Sequence, residues 1–119
     1  VFGDAGNDLL NGGQDDDYLY GGEGNDTLSG DKGNDIMAGG AGSDAMRFMP
    51  GGGDDIVTDF QVGLDRLEFS NTSFASVQDV LAATTFGADG AHITMADGSS
   101  VTLLGVSEGN LNASSISLY

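Results

Sequence analysis

Over the first 58 residues one apolar side chain recurs at every ninth position. Leu10, Leu19, Leu28, Met37 and Met46 keep that spacing, and Val57 continues the series two residues late. Each is the middle of a three-residue piece such as Tyr18-Leu19-Tyr20, too short for a helix. Alternation along an extended backbone sends the middle side chain one way and its neighbours the other, so each piece is predicted to be a short strand. Tyr18 and Tyr20 are then expected to face outward. Six-residue turns rich in glycine, such as GGEGND at Gly21 to Asp26, separate the strands. A nine-residue unit cannot bury its own apolar side chain and must stack on copies of itself.

Two successive units make one coil of a flattened parallel helix, with turns on alternate edges and strands on alternate faces. The frames that begin at Gly3, Gly21 and Gly39 share one edge, and those that begin at Gly12, Gly30 and Pro50 share the other. Leu10, Leu28 and Met46 are expected on one inner face, opposite Leu19, Met37 and Val57. Such a core holds one side chain per nine residues, too little for hydrophobic burial alone to offset chain entropy.

Period nine breaks at Arg47, where two extra residues precede Pro50, and the strands are predicted to lengthen to 45–49 and 56–60. Gly63, Asp65 and Leu67 fall at the fourth, sixth and eighth places of a degenerate seventh frame. The roll is expected to span residues 1–70, and a capping segment residues 71–119. Within the cap, Ser76 is a candidate N-cap for a helix running to about Ala83, with Val77, Val80 and Leu81 on one face and Phe74 as a staple. Ala96-Asp97-Gly98 reads as a three-residue hairpin loop that pairs Ile93 with Val101 and Ala91 with Leu103. Ile116 and Leu118 form a last short strand, led in by Asn112 and Ser115. A cap has a physical role, because the last coil of a solenoid otherwise exposes its core.

Charge changes this picture most. Nineteen acidic residues, sixteen of them Asp, stand against Lys32, Arg47 and Arg66, for a net charge of −16 in 119 residues. That argues against nucleic acid or an anionic membrane surface as partner and favours cations. No apolar stretch is long enough to cross a membrane. Fifteen of the 21 glycines lie in the first 53 residues, where the acids are also dense. Such a block stays disordered unless something offsets glycine entropy and like-charge repulsion. Cysteine is absent, so no disulfide can do so, and a bound metal is the economical answer.

The sixth place of every frame is aspartate: Asp8, Asp17, Asp26, Asp35, Asp44 and Asp55. Asp and Gly favour turns in their own right. In register, however, turns one coil apart bring carboxylates and main-chain carbonyls into an all-oxygen cage suited to a hard cation such as Ca²⁺. The glycines that open the turns and let carbonyls converge are Gly3, Gly6, Gly12, Gly21, Gly22, Gly24, Gly30, Gly33, Gly39, Gly40, Gly42, Gly51 and Gly53. Asp65, with Asp59, is a candidate for a further site on the edge of Gly39. Asp4 and Asp31 replace the second glycine of their frames, Pro50 the first and Asp15 the fourth, where Asp15 is expected to bend the turn without abolishing it.

GGEGNDTLS at Gly21 to Ser29, and GGAGSDAMR after it, resemble the GGxGxDxUx nonapeptide of the RTX proteins, which bind Ca²⁺ in a parallel β-roll. The resemblance implies an all-β, right-handed parallel β-roll, or β-solenoid, whose C-terminal capping segment contains a short helix and a β-hairpin. It implies Ca²⁺ between frames 3 and 21, 21 and 39, 12 and 30, and 30 and 50, about four or five ions with the further site. The order DFQVGLDRLEF, short helix, HITMADGSSVTLLGV and closing apolar strand resembles the C-terminal segment of bacterial RTX exoproteins exported by type I secretion. In that family the extreme C-terminus carries an uncleaved export signal, which Ser117-Leu118-Tyr119 would fit.

No catalytic constellation stands out. His92 is the only histidine, in a predicted strand, and Asp54 and Asp55 are better explained by the turn than as a glycosidase pair. The leading expectation is a non-enzymatic, calcium-binding module of a larger, secreted bacterial protein. It would fold on Ca²⁺ after type I secretion, with Ca²⁺, the export machinery and an upstream domain as partners. The alternative is a module that binds polysaccharide or a cell surface, as in alginate epimerases, with Tyr18 and Tyr20 as contacts. A catalytic domain is a third reading, for which the sequence supplies no machinery.

Overall fold

The computed structural model describes residues 1–70 and 74–119. The repeats form seven short strands: β1 (Leu9–Asn11), β2 (Tyr18–Tyr20), β3 (Thr27–Ser29), β4 (Ile36–Ala38), β5 (Ala45–Phe48), β6 (Asp54–Val57) and β7 (Arg66–Phe69). They alternate between two sheets, because each turn carries the chain from one face to the other. The first sheet runs β1-β3-β5-β7, all parallel, with Leu10 beside Leu28, Leu28 beside Met46 and Met46 beside Leu67. The second runs β2-β4-β6, with Leu19 beside Met37 and Met37 beside Val57. The expected inner faces are therefore present, and this is a parallel β-roll. Tyr18 and Tyr20 face out, and the ring of Phe2 packs against both.

The rest of the chain completes both sheets. Helix α1 (Val77–Ala82) starts at Ser76, whose hydroxyl accepts the amide hydrogen of Asp79. Val80 on its inner face is fully buried, while Val77 and Leu81 pack against the core from partly buried positions. Phe74 meets the ring of Phe69 edge-on at 5.3 Å. Three strands follow: β8 (Thr84–Phe86), β9 (Gly90–Thr94) and β10 (Ser100–Leu104). The hairpin has the expected register, Ile93 beside Val101 and Ala91 beside Leu103, and Gly98 holds the left-handed place in its loop. Strand β10 lies parallel to β6 and extends the second sheet; β11 (Ile116–Leu118), entered through a 3-10 turn at Ala113–Ser115, lies parallel to β7 and closes the first. One hydrophobic cluster runs from Leu10 to Ile116.

Two points differ from expectation. Strand β5 stops at Phe48, and β6 covers Asp54–Val57 instead of 56–60. The frame register wins over the longer apolar run there, because Asp54 and Asp55 pair with Ser100 and Val101 of the hairpin. Strand β8 was not foreseen; Thr84-Thr85-Phe86 has little alternation and acquires its place only by pairing with β9. The turn of Gly12 persists with Asp15 at its fourth place, as expected, though without a left-handed φ; among the described residues the non-glycine residues with such a φ are Asp4 and Asp31.

Candidate metal centre

The sixth-place aspartates stack into two columns, one on each edge of the roll. On the first edge the backbone amide of Asp8 donates to Asp26 Oδ1 (2.8 Å), that of Asp26 to Asp44 Oδ1 (2.8 Å) and that of Asp44 to Asp65 Oδ1 (2.9 Å). On the second edge the amide of Asp17 donates to Asp35 Oδ1 (2.8 Å) and that of Asp35 to Asp55 Oδ1 (3.0 Å). These rungs leave the other carboxylate oxygen over. The Oδ2 atoms of Asp8, Asp17, Asp26, Asp35 and Asp44 are buried without any hydrogen-bond partner. An orphaned buried polar atom costs about 1–3 kcal/mol, and more when charged. Five of them in two rows mark a place for a positive charge.

The first-place glycines frame these oxygens. A Cβ on Gly21 would lie 2.6 Å from Asp26 Oδ2 and 2.6 Å from the Gly39 carbonyl oxygen. On Gly3 it would lie 2.7 and 2.8 Å from Asp8 Oδ2 and the Gly21 oxygen, and on Gly12 2.8 and 2.9 Å from Asp17 Oδ2 and the Gly30 oxygen. Gly30 and Gly39 face Asp35 and Asp44 more closely still. The oxygens that converge beside these glycines are carboxylate and main-chain oxygens, the hard donors that Ca²⁺ takes. Among the described residues no group of three or more His, Cys, Asp or Glu side chains gathers around one point, so carbonyls must supply the remaining donors. An all-oxygen set of this kind fits a hard divalent cation.

The sequence pattern of the RTX calcium-binding nonapeptide repeat, in four copies, matches residues 1–28 and 12–46. These residues are RTX calcium-binding repeats. Comparison with curated protein sequences finds no match. Among solved structures the chain is similar to the extracellular lipase LipA from Serratia marcescens, with 27% identity over 96% of this chain and a TM-score of 0.66. This chain spans 20% of that lipase's length. The solution structure of the AlgE6R3 subunit from the Azotobacter vinelandii mannuronan C5-epimerase aligns at 27% identity, over 96% of this chain and 79% of that one, with a TM-score of 0.42.

Within the roll the remaining candidates divide by place. Gly22 and Gly24 hold left-handed φ values of 88° and 103°, and a Cβ on either would strike the carbonyl oxygen of Asp4 or Gly6 one coil below. Gly40, Gly42, Gly33 and Gly53 repeat that close approach, over Gly22, Gly24, Asp15 and Gly33. Gly6 has open space around it, and the Gly51 amide donates to Asp97 Oδ2 of the hairpin loop. Asp55 and Asp65 end the columns, and Asp65 Oδ2 accepts from the Gln61 amide (2.8 Å). Asp59 lies against the turn of Gly39, with its two oxygens on the amides of Gly39 (2.9 Å) and Gly40 (2.8 Å), where it holds that turn.

Sequence reasoning overlooked the fifth place. The side-chain oxygen of Asn7 accepts from the Asn25 amide (2.7 Å), Asn25 from Ser43 (2.8 Å), Asp16 from Asn34 (2.7 Å) and Asn34 from Asp54 (2.9 Å). This outer ladder sets turn upon turn beside the inner one. Its signal was available, since the fifth place reads Asn7, Asp16, Asn25, Asn34, Ser43 and Asp54. His92 is also more engaged than a lone strand histidine, with Nε2 2.8 Å from Asp89 Oδ1 and Nδ1 3.1 Å from Thr102 Oγ1.

Burial pushes the Asp55 carboxyl up to about 7 and Asp44 to about 6, and raises Asp35 and Asp65 as well; backbone amides offset part of each shift. The ordinary aspartate value is near 3.9. Without a cation, therefore, the fold gains from protonated carboxyls below about pH 4 and loses that contribution as pH rises through 6 and 7. In chelator the β signal in circular dichroism is expected to be stronger at acidic than at neutral pH. With Ca²⁺ the order reverses, because protons compete for the same oxygens: the midpoint of a calcium titration should move to higher concentration as pH falls from 8 to 5.

Proposed function

We propose that this chain is a calcium-dependent folding module of a larger secreted bacterial protein, unfolded during export by a type I machinery and closed by Ca²⁺ outside the cell. The observation that carries this reading is the double row of orphaned carboxylate oxygens. Asp8, Asp26 and Asp44 on one edge and Asp17 and Asp35 on the other would each hold an ion, five in all, and the carbonyls of Gly21, Gly39 and Gly30 converge beside the oxygens of Asp8, Asp26 and Asp17. When bound, Ca²⁺ supplies the positive charge that these oxygens lack. The chain's own residues do the rest: the amide rungs aim each carboxylate, the glycines let backbones approach, and Asp59 fixes the turn of Gly39. Binding to the folded state alone makes ion affinity a folding free energy. Extracellular calcium modules bind at roughly 10⁻⁴ to 10⁻³ M, a range that separates cytoplasm from exterior.

Calorimetry tests the coupling. A calcium titration is expected to saturate near five ions, with a negative heat-capacity change on the order of 1 kcal/mol/K, as for folding a chain of this size. Saturable binding with a heat-capacity change near zero would mean a preformed roll, and the module would then have no folding switch. A second reading, contact with a polysaccharide, is favoured by the exposed Tyr18 and Tyr20 beside Phe2. It requires saturable glycan binding that a Tyr18→Ala, Tyr20→Ala double variant loses while calcium binding persists.

A further inference from the structure

Asn11-Gly12 is the one Asn-Gly pair in the chain, at the point where β1 enters the second turn. Asn11 is exposed, and its side-chain amide makes no hydrogen bond among the described residues. Asn7, Asn25, Asn34, Asn110 and Asn112 all have bonded side chains and are followed by residues with a Cβ. The Gly12 amide donates to the Ser29 carbonyl at 2.9 Å, the rung by which β1 is tied to the coil above.

We propose that Asn11-Gly12 is a spontaneous deamidation site gated by the roll, blocked while that rung is closed and reactive when it opens; this rests on the reading that ion loading closes the roll. The reaction needs the Gly12 nitrogen to lose its proton and reach Asn11 Cγ. The N–Cγ bond forms, the Cγ–Nδ2 bond breaks, and Nδ2 leaves as ammonia with the proton given up by Gly12. One water then opens the five-membered imide at either carbonyl, to yield aspartate or isoaspartate. Glycine suits this attack because no Cβ hinders its nitrogen. The folded strand opposes it twice, since the proton is held by Ser29 and extended, paired backbone cannot settle into an attack geometry of about 3–3.5 Å.

The modification would be one-way. Isoaspartate inserts an extra backbone atom directly before Gly12, whose Cα side faces Asp17 Oδ2 and the Gly30 carbonyl. A chain that lingers without ions would thus damage the entrance to its own Asp17 site, whereas a loaded chain would not.

Peptide mapping by mass spectrometry tests this on the whole chain, held in mildly alkaline buffer with millimolar Ca²⁺, with chelator or with urea, and followed in parallel by circular dichroism. The expected result is a one-dalton gain at the Asn11 peptide, faster in chelator and in urea than in Ca²⁺ by at least about tenfold, because reaction from an open state follows its population. Equal rates in Ca²⁺ and urea, or a gain in urea that starts at another asparagine, would overturn the site. If circular dichroism shows the chelated chain still folded, the folding switch fails separately, and the Asn11 rate in chelator should then match the slow rate in Ca²⁺; a fast rate there would overturn the gate.

Discussion

Chelation of calcium at neutral pH is expected to abolish the roll, seen as loss of the β signal in circular dichroism and as rapid proteolysis of residues 1–58. Among the described residues five buried carboxylate oxygens have no protein partner. At about 1–3 kcal/mol each, and more when charged, they cost roughly 5–15 kcal/mol, which equals the whole net stability of an ordinary small domain. Against this the repeats bury one apolar side chain per nine residues. The cap cannot stand in for them, because β10 pairs with β6 and β11 with β7, so both lose their platform when the coils open. Unfolding should therefore be global. A chelated chain that keeps its β signal and its resistance to protease at neutral pH would refute the ion-dependent fold.

Gly21→Ala is expected to remove one ion and move the calcium midpoint of folding up by at least about tenfold, equivalent to about 1.4 kcal/mol. Gly21 does not hold a left-handed φ, so alanine is permitted by the backbone. The new methyl would nevertheless lie 2.6 Å from both Asp26 Oδ2 and the Gly39 oxygen, inside the cradle. Every candidate ligand remains in the sequence, and only the space is lost. Gly6→Ala is the contrasting control: its φ of 96° makes alanine strained by about 1–2 kcal/mol, yet a Cβ there meets nothing within 4 Å. That variant should be less stable with its ion count unchanged. If both variants bind the same number of ions, the first-place glycines do not frame the sites.

The repeat region was legible because period and chemistry agree in it. Leu10 to Val57 marked the inner faces and Asp8 to Asp55 the two columns, and neither inference needed a contact between distant residues. The hairpin register followed from the loop Ala96-Asp97-Gly98, and the helix start from Ser76, both local signals. Tertiary pairing decided the rest. Thr84-Thr85-Phe86 carries no strand signal that survives without β9 beside it, and Asp59 is chosen by two glycine amides twenty and nineteen residues away. The outer ladder of Asn7, Asn25 and Asn34 was hidden for another reason. Asparagine explains itself as a turn residue, so its second role, as acceptor for the next coil, was masked by the first.

The carboxylate columns can also be read as two line charges. Strand pairing sets the rise from coil to coil at about 4.7–4.9 Å, closer than the roughly 7 Å at which two unit charges in water interact with thermal energy. Each ion would therefore relieve repulsion on both of its neighbours, so occupancy would propagate along a column. Strands of three or four residues separate the two columns by about 10 Å or more, a full Debye length at 0.1 M salt. Loading then resembles the closing of two zips, each cooperative along its length and nearly indifferent to the other, with added monovalent salt blunting the slope of both.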